Sequence, residues 1–133
     1  MTFTDAEIAY LDSQLLGRLT TIDAQGRPQI RAVGVHYNPE TRTIDVVGWG
    51  LAKSQKFRNA SRNPEVAFIV DDLASTNPWR PRSVEIRGRA ETLTGPGVSP
   101  WGDEVIRIHP RRVVAEGLDP SGDGRYNARD LPS

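Results

Sequence analysis

The sequence contains no cysteine, a single methionine and only two histidines, His36 and His109. Without cysteine there are no disulfides and no thiolate metal sites. Two histidines are too few for a histidine-rich site, so no metal is expected. No apolar run approaches the roughly 20 residues that a membrane span needs, and no charge-flanked apolar segment opens the chain. A soluble, cytoplasmic protein without a membrane partner is the expectation. Net charge is also missing: 17 basic and 17 acidic side chains cancel. A duplex nucleic-acid partner usually requires a net basic face, and no aromatic platform offers itself to a single strand. The familiar catalytic signatures are absent too. There is no Ser-His-Asp order with supporting turns, no GxGxxG, no Walker loop and no HExxH.

Lysine is nearly absent. Of the 17 basic side chains, all but Lys53 and Lys56 are arginine. Both lysines fall in "WGLAKSQKFRNASRNPEVAFIV", three residues apart.

What is present fits one domain of 133 residues, large enough to hold a core without staples. Thr4-Asp5-Ala6-Glu7 has the pattern of a capping box. Ile8, Leu11, Leu15 and Leu16 follow at helical spacing, so a helix is expected over about 5–15, ending near Gly17. Three strands joined by turns at Asp23–Gly26 and Asn38–Thr41 then form a meander. A short helix follows, stopped by Asn63-Pro64 because a residue before proline avoids the helical region. "EVAFIVDD" and "VEIRGRAETL" read as strands, with "LASTNPWRPRS" and "TGPGVSPWGD" as loops. "EVIRIHPRRVVAEGL" reads as a strand kinked at Pro110. The count is six or seven strands, arranged as a barrel or sandwich. Residues 1–118 form the domain. Residues 119–133 are turn formers with little apolar content, expected to be loose or draped on a partner.

The lysine helix carries the sharpest chemistry. A helix N-terminus has unpaired N–H groups and about half a positive charge, so cations there are unfavourable unless an anion joins them. Lys53, Ser54 and Lys56 together make a phosphate cradle. The ordinary alternative is a solvated basic face shared with Arg58 and Arg62. Arg31, in the second strand, can aim at the same anion. Ala32 and Gly34 are small enough to let a flat ligand approach the backbone. Trp49, beside Gly50, can wall a pocket or serve the core. Trp79 and Trp101 sit in Pro/Gly loops, and Arg80 and Arg82 flank Pro81. His36 is a possible proton donor, although single strand histidines are more often structural. An anion cradle without an acid–base dyad suits a cofactor that brings its own chemistry.

The ordered set "GRLTTIDAQGRPQIRAVGV", "TIDVVGW", "KSQKFRNASRNPEVAFIVDD", "NPWRPR", "VEIRGRAE" and "IRIHPRRVV" resembles the flavin/deazaflavin oxidoreductases of the pyridoxamine 5'-phosphate oxidase-like split-barrel superfamily. Within it the resemblance is closest to the actinobacterial group using the deazaflavin coenzyme F420. It covers about residues 4 to 118. It implies a mainly β fold, a six-stranded split barrel with a few short helices, and a homodimer with cofactor sites at its interface. The cofactor's phosphate would lie on Lys53, Ser54, Lys56 and Arg31, and its ring against Ala32, Val33 and Gly34. Trp49 and Asn59 would be nearby contacts, and Trp79, Arg80 and Arg82 would come from the other subunit. The implied activity is hydride transfer from reduced F420 to an activated C=C or C=N bond of a small organic substrate, with His36 or Tyr37 as possible proton donors. The same cradle would serve FMN in an oxidoreductase, or a non-catalytic flavin or deazaflavin carrier. Two residues depart from the family pattern. Glu116 stands where many relatives carry an aromatic residue, and His36 where a large apolar or aromatic one is usual. Pyridoxamine phosphate oxidases themselves are longer, with C-terminal substrate-binding segments not found here, so that specific activity is not expected.

Overall fold

A computed structural model describes residues 3–119 and 126–132. The first helix, α1 (Asp5–Ser13), opens with the expected capping box. Thr4 Oγ1 accepts from the Glu7 amide at 3.1 Å, and Glu7 Oε1 accepts from the Thr4 amide at 2.9 Å. The helix stops two residues short of the expected end. It buries Glu7, Tyr10 and Leu11, while Leu15 and Leu16 lie beyond it and are exposed. The helical spacing of the last two leucines therefore does not mark a core face.

Strands β1 (Leu16–Ile22), β2 (Pro28–Gly34), β3 (Tyr37–Asn38) and β4 (Thr43–Val47) follow. A 3-10 turn (Leu51–Lys53) and helix α2 (Gln55–Arg62) come next. Then come β5 (Glu65–Thr76), β6 (Trp79–Ser99), β7 (Gly102–Glu116) and β8 (Tyr126–Asp130). They form one eight-stranded antiparallel sheet, in the order β2-β1-β5-β6-β7-β4-β3 with β8 on β7. That is two strands more than the expected six. The sheet is a split barrel: β2 comes alongside β4 without a ladder between them. Alternate residues fill the interior, among them Leu19, Ile44, Val46, Phe68, Val70, Val84, Ile86, Ile106 and Ile108. None of the described helices is long and apolar enough to cross a membrane.

The two expected loops between β5 and β7 are largely strand. "LASTNPWRPRS" folds as a hairpin end turning on Asn77-Pro78, with Thr76 opposite Trp79 and Asp72 opposite Arg82. Pro81 is tolerated because β7 joins β6 only from Ser83 onward, so its missing N–H interrupts no ladder there. "TGPGVSPWGD" extends β6 to Ser99 and turns at Pro100-Trp101. The kink expected at Pro110 is a bulge. Arg87 pairs with Arg112 and Gly88 with Pro110, leaving Arg111 without a partner on β6.

The bulge has a use. The freed Arg111 carbonyl accepts from the Leu131 amide at 2.7 Å, and Leu131 is buried. The expected loose tail is therefore a sheet strand over Tyr126–Asp130; residues 120–125 and 133 lie outside the described residues. Arg129 of β8 grips the buried Glu7 of α1 through Nη1 at 2.8 Å and Nη2 at 2.6 Å. The last strand thus ties the first helix to the barrel.

Candidate functional site

Helix α2 lies on β1, β6 and the preceding 3-10 turn. Its N-cap is Ser54, whose hydroxyl accepts from the Phe57 amide at 3.2 Å and donates to the Leu51 carbonyl at 2.6 Å. The next two amides, of Gln55 and Lys56, begin the helix and have no intrahelical acceptor. Asn59 sets the helix in place. It is fully buried; its Nδ2 donates to Thr21 Oγ1 at 3.0 Å and to Gln29 Oε1 at 2.8 Å, and its Oδ1 accepts from Gln55 Nε2 at 2.7 Å. Its polar atoms are thus engaged in joining α2 to β1 and β2. The partners Thr21, Gln29 and Gln55 carry no signal of this role in the sequence.

This seating brings α2 to Arg31 on β2. Burial lowers the pKa of the Lys56 ammonium, and the neighbouring Arg31 charge lowers it further. Among the described residues, neither Lys56 nor Arg31 makes an ion pair. Lys53 stands exposed just before the cap, with its carbonyl taken by Arg58 Nη1 at 2.7 Å. Two elements separated in sequence thus bring cations near one another at the start of α2, with no carboxylate partner among the described residues.

Beside them runs β2. It is bonded to β1 on one edge, and no strand covers its other edge among the described residues. Pro28 to Ala32 are all exposed; Val33 turns inward and Gly34 is half-buried. The segment offers open backbone and small side chains at Ala32 and Gly34.

His36 and Tyr37 part company. The His36 ring stacks on Trp101, with centroids 4.9 Å apart and planes 24° apart. Its Nε2 would lie 3.3 Å from a Cβ at position 34, so glycine there leaves room for the imidazole. Tyr37 instead meets Phe3 edge-on at 5.5 Å, and burial raises its hydroxyl pKa. Trp49, between Gly48 and Gly50, is fully exposed. With Trp101 it lines an open cleft of about 470 Å³, lined also by Asp103 and Glu104.

The β5–β6 hairpin is a separate place within the protomer. Trp79 and Arg80 are exposed near its tip. Arg82 is clamped on Asp72, Nε to Oδ1 at 2.9 Å and Nη2 to Oδ2 at 2.6 Å, and lies 5.2 Å from the Tyr10 ring centroid. Glu116 pairs with Ser83 and Tyr126, and its charge is the main cause raising the Tyr126 hydroxyl pKa.

The family model for pyridoxamine 5'-phosphate oxidase matches residues 3–115. The chain belongs to the pyridoxamine 5'-phosphate oxidase family. It is an oxidoreductase of that family's split-barrel type. It is 40% identical, over 98% of its length and 94% of the relative's, to a 5a,11a-dehydrotetracycline/5a,11a-dehydrooxytetracycline reductase of Streptomyces rimosus. A solved structure described as an F420 reductase is 26% identical with a TM-score of 0.57, over 77% of this chain and 90% of that one. A heme-binding protein from Mycobacterium smegmatis is 19% identical with a TM-score of 0.69, over 98% of this chain and 59% of that one, a likeness of fold alone.

Proposed function

We propose that the protein is a reductase holding coenzyme F420 between α2 and β2 of one subunit and the surface of a second copy. The observation that carries this is the meeting of Lys56 and Arg31, two cations without a carboxylate partner, beside the first free amides of α2. A phosphate there would accept from the amides and relieve the repulsion. The open edge of β2, with Ala32 and Gly34, suits a flat ring system against backbone. Exposed Leu15, Leu16 and Ile30 suit cover by the second copy, whose Trp79, Arg80 and Arg82 would approach the ring from the far side.

The reduced coenzyme supplies a hydride when bound. The chain's own residues do the rest. Lys53, Lys56 and Arg31 hold the anionic end, with Ser54 keeping the helix capped toward it. Val33 and Gly34 fix the height of the ring over the sheet. His36, half-buried over Gly34, is better placed to hold a proton near β2 than Tyr37, which turns toward Phe3. The acceptor is an activated C=C bond, by analogy with the dehydrotetracycline reductase, and the setting is cytoplasmic.

The test is a titration with coenzyme F420 of the unchanged protein and a Lys53→Ala/Lys56→Ala variant. At least tenfold weaker binding in the variant is expected, and equal affinity would overturn the cradle. FMN fits the same cradle. The absorbance of the small molecule that co-purifies from a host making both decides the ring, since FMN absorbs in the blue and the deazaflavin at shorter wavelength.

A further inference from the structure

We infer that the cleft between Trp49 and Trp101 is the acceptor substrate's own site. It fits a flat, multi-ring molecule carrying a protonated amine or a row of hydroxyl donors along one edge. This rests on the reductase reading and adds to it a place and a chemical class of substrate.

The two indoles differ in how they are held. Trp101 is fixed in advance. One face lies on His36, and its loop is tied down from beneath. Arg107 Nη2 donates to the Val98 carbonyl at 2.6 Å, the Ser99 hydroxyl donates to the buried Asp45 at 2.9 Å, and the Trp101 amide reaches Ser99 Oγ at 3.4 Å. Trp49 has no such support. It stands at full exposure between two glycines, and a Cβ added at Gly48 or Gly50 would meet nothing within 4 Å. One held indole and one free indole on the same cleft suit a planar guest, against which the free one can close. The volume, about 470 Å³, lies in the usual range for small-molecule pockets, about 300–1,000 Å³.

The rim sets the sign. Asp103 takes the Gly97 amide at 3.3 Å and Glu104 the Ala52 amide at 2.9 Å, each through one oxygen. Neither makes an ion pair among the described residues. The cleft is therefore acidic, whereas α2 and Arg31 are basic. An anionic coenzyme is drawn to one and repelled from the other, so the two ligands do not compete. The sites nevertheless adjoin. Trp101 touches His36, and His36 lies over Gly34 at the end of β2. On the other side, Gly50 leads directly into the turn bearing Lys53.

The experiment is calorimetric titration of the full chain, with F420 bound, using tetracycline, a linear four-ring molecule with a near-planar chromophore and a tertiary amine. Anthraquinone-2-sulfonate serves as a flat anion of opposite sign. Tetracycline is expected to bind, with at least tenfold weaker affinity in Trp101→Ala and several-fold weaker affinity in Asp103→Asn. F420 affinity should stay unchanged in both, and the sulfonate should bind more weakly than tetracycline. Asp103 is exposed, so its variant reports even if Trp101→Ala folds poorly. Equal tetracycline affinity in Asp103→Asn and the unchanged protein overturns the inference. So does a Trp49→Ala variant that weakens self-association while leaving tetracycline affinity intact, which would make a second copy the occupant. Failure of F420 to bind the unchanged protein strikes the reductase reading instead; the tetracycline arms, repeated without coenzyme, then still decide the cleft.

Discussion

Arg107 lies side-on against Asp45, with Nε to Oδ1 and Nη2 to Oδ2 both at 3.0 Å. The carboxylate is fully buried and also accepts from Asn38 at 3.1 Å, Thr43 at 3.0 Å and Ser99 at 2.9 Å. This cluster joins β4, β7 and the turn that carries Trp101. Asp45→Ala strands the Arg107 charge and is expected to cost about 3–5 kcal/mol, as removal of one partner of a buried pair does. Urea unfolding measures it.

The same carboxylate predicts an acid limb. Burial raises its pKa, but the hydrogen bonds from Arg107, Asn38 and Ser99 and the Arg107 charge outweigh burial, so it sits below the ordinary aspartate value. The folded pKa is thus below the unfolded one. The stabilisation is complete above the unfolded value, about 3.9, and is lost as pH falls through the folded value. Unfolding midpoints should fall with pH below about 4, and the Asp45→Asn variant should show a shallower fall.

Lys56 predicts an alkaline counterpart. Burial first, then Arg31, places its folded pKa below that of free lysine. The unfolded chain therefore holds the proton more tightly, and the ligand-free protein gains stability as pH rises toward the lysine range. Binding a phosphate-bearing coenzyme should pull the proton back. Calorimetry in two buffers of different ionisation enthalpy should register proton uptake on the alkaline side, and Lys56→Met should abolish it.

Arg129→Ala removes both hydrogen bonds to Glu7, which is 2% exposed. A loss of about 3–5 kcal/mol is expected, and Glu7→Gln added to it should recover part by removing the stranded charge. Thermal unfolding of the single and double variants checks this.

Gly88→Ala tests the bulge. An added Cβ would overlap the His109 carbonyl oxygen and lie 3.1 Å from its carbon, both backbone atoms. Overpacking of this kind costs about 1–3 kcal/mol. A melting temperature unchanged from the parent would mean that β7 moves freely there.

Features set by neighbouring residues were legible in the sequence. The capping box at Thr4 and Glu7 and the Asn63-Pro64 stop of α2 are local, and both are in place. The family order of strands gave the split barrel. Pairings across the sheet were not legible. "NPWRPR" and "TGPGVSPW" have loop composition, yet ladder bonds to β5 and β7 make them strand, a backbone effect composition does not report. β8 has little apolar content and is held by hydrogen bonds and Arg129. Trp101 meets His36, and Asp45 meets Arg107, only after distant hairpins close. Their residue types alone carried no hint of each other.

β2 exposes five consecutive residues, Pro28 to Ala32, and has one edge unpaired among the described residues. Gln29 holds the buried Asn59, but none of these side chains is itself buried in the protomer's own core. Substitutions at Ile30 or Arg31 can therefore accumulate without unfolding the subunit, and their effect falls on what the strand meets. In a fold whose interior tolerates little change, this strand is where new ligand preferences can be tried at small structural risk.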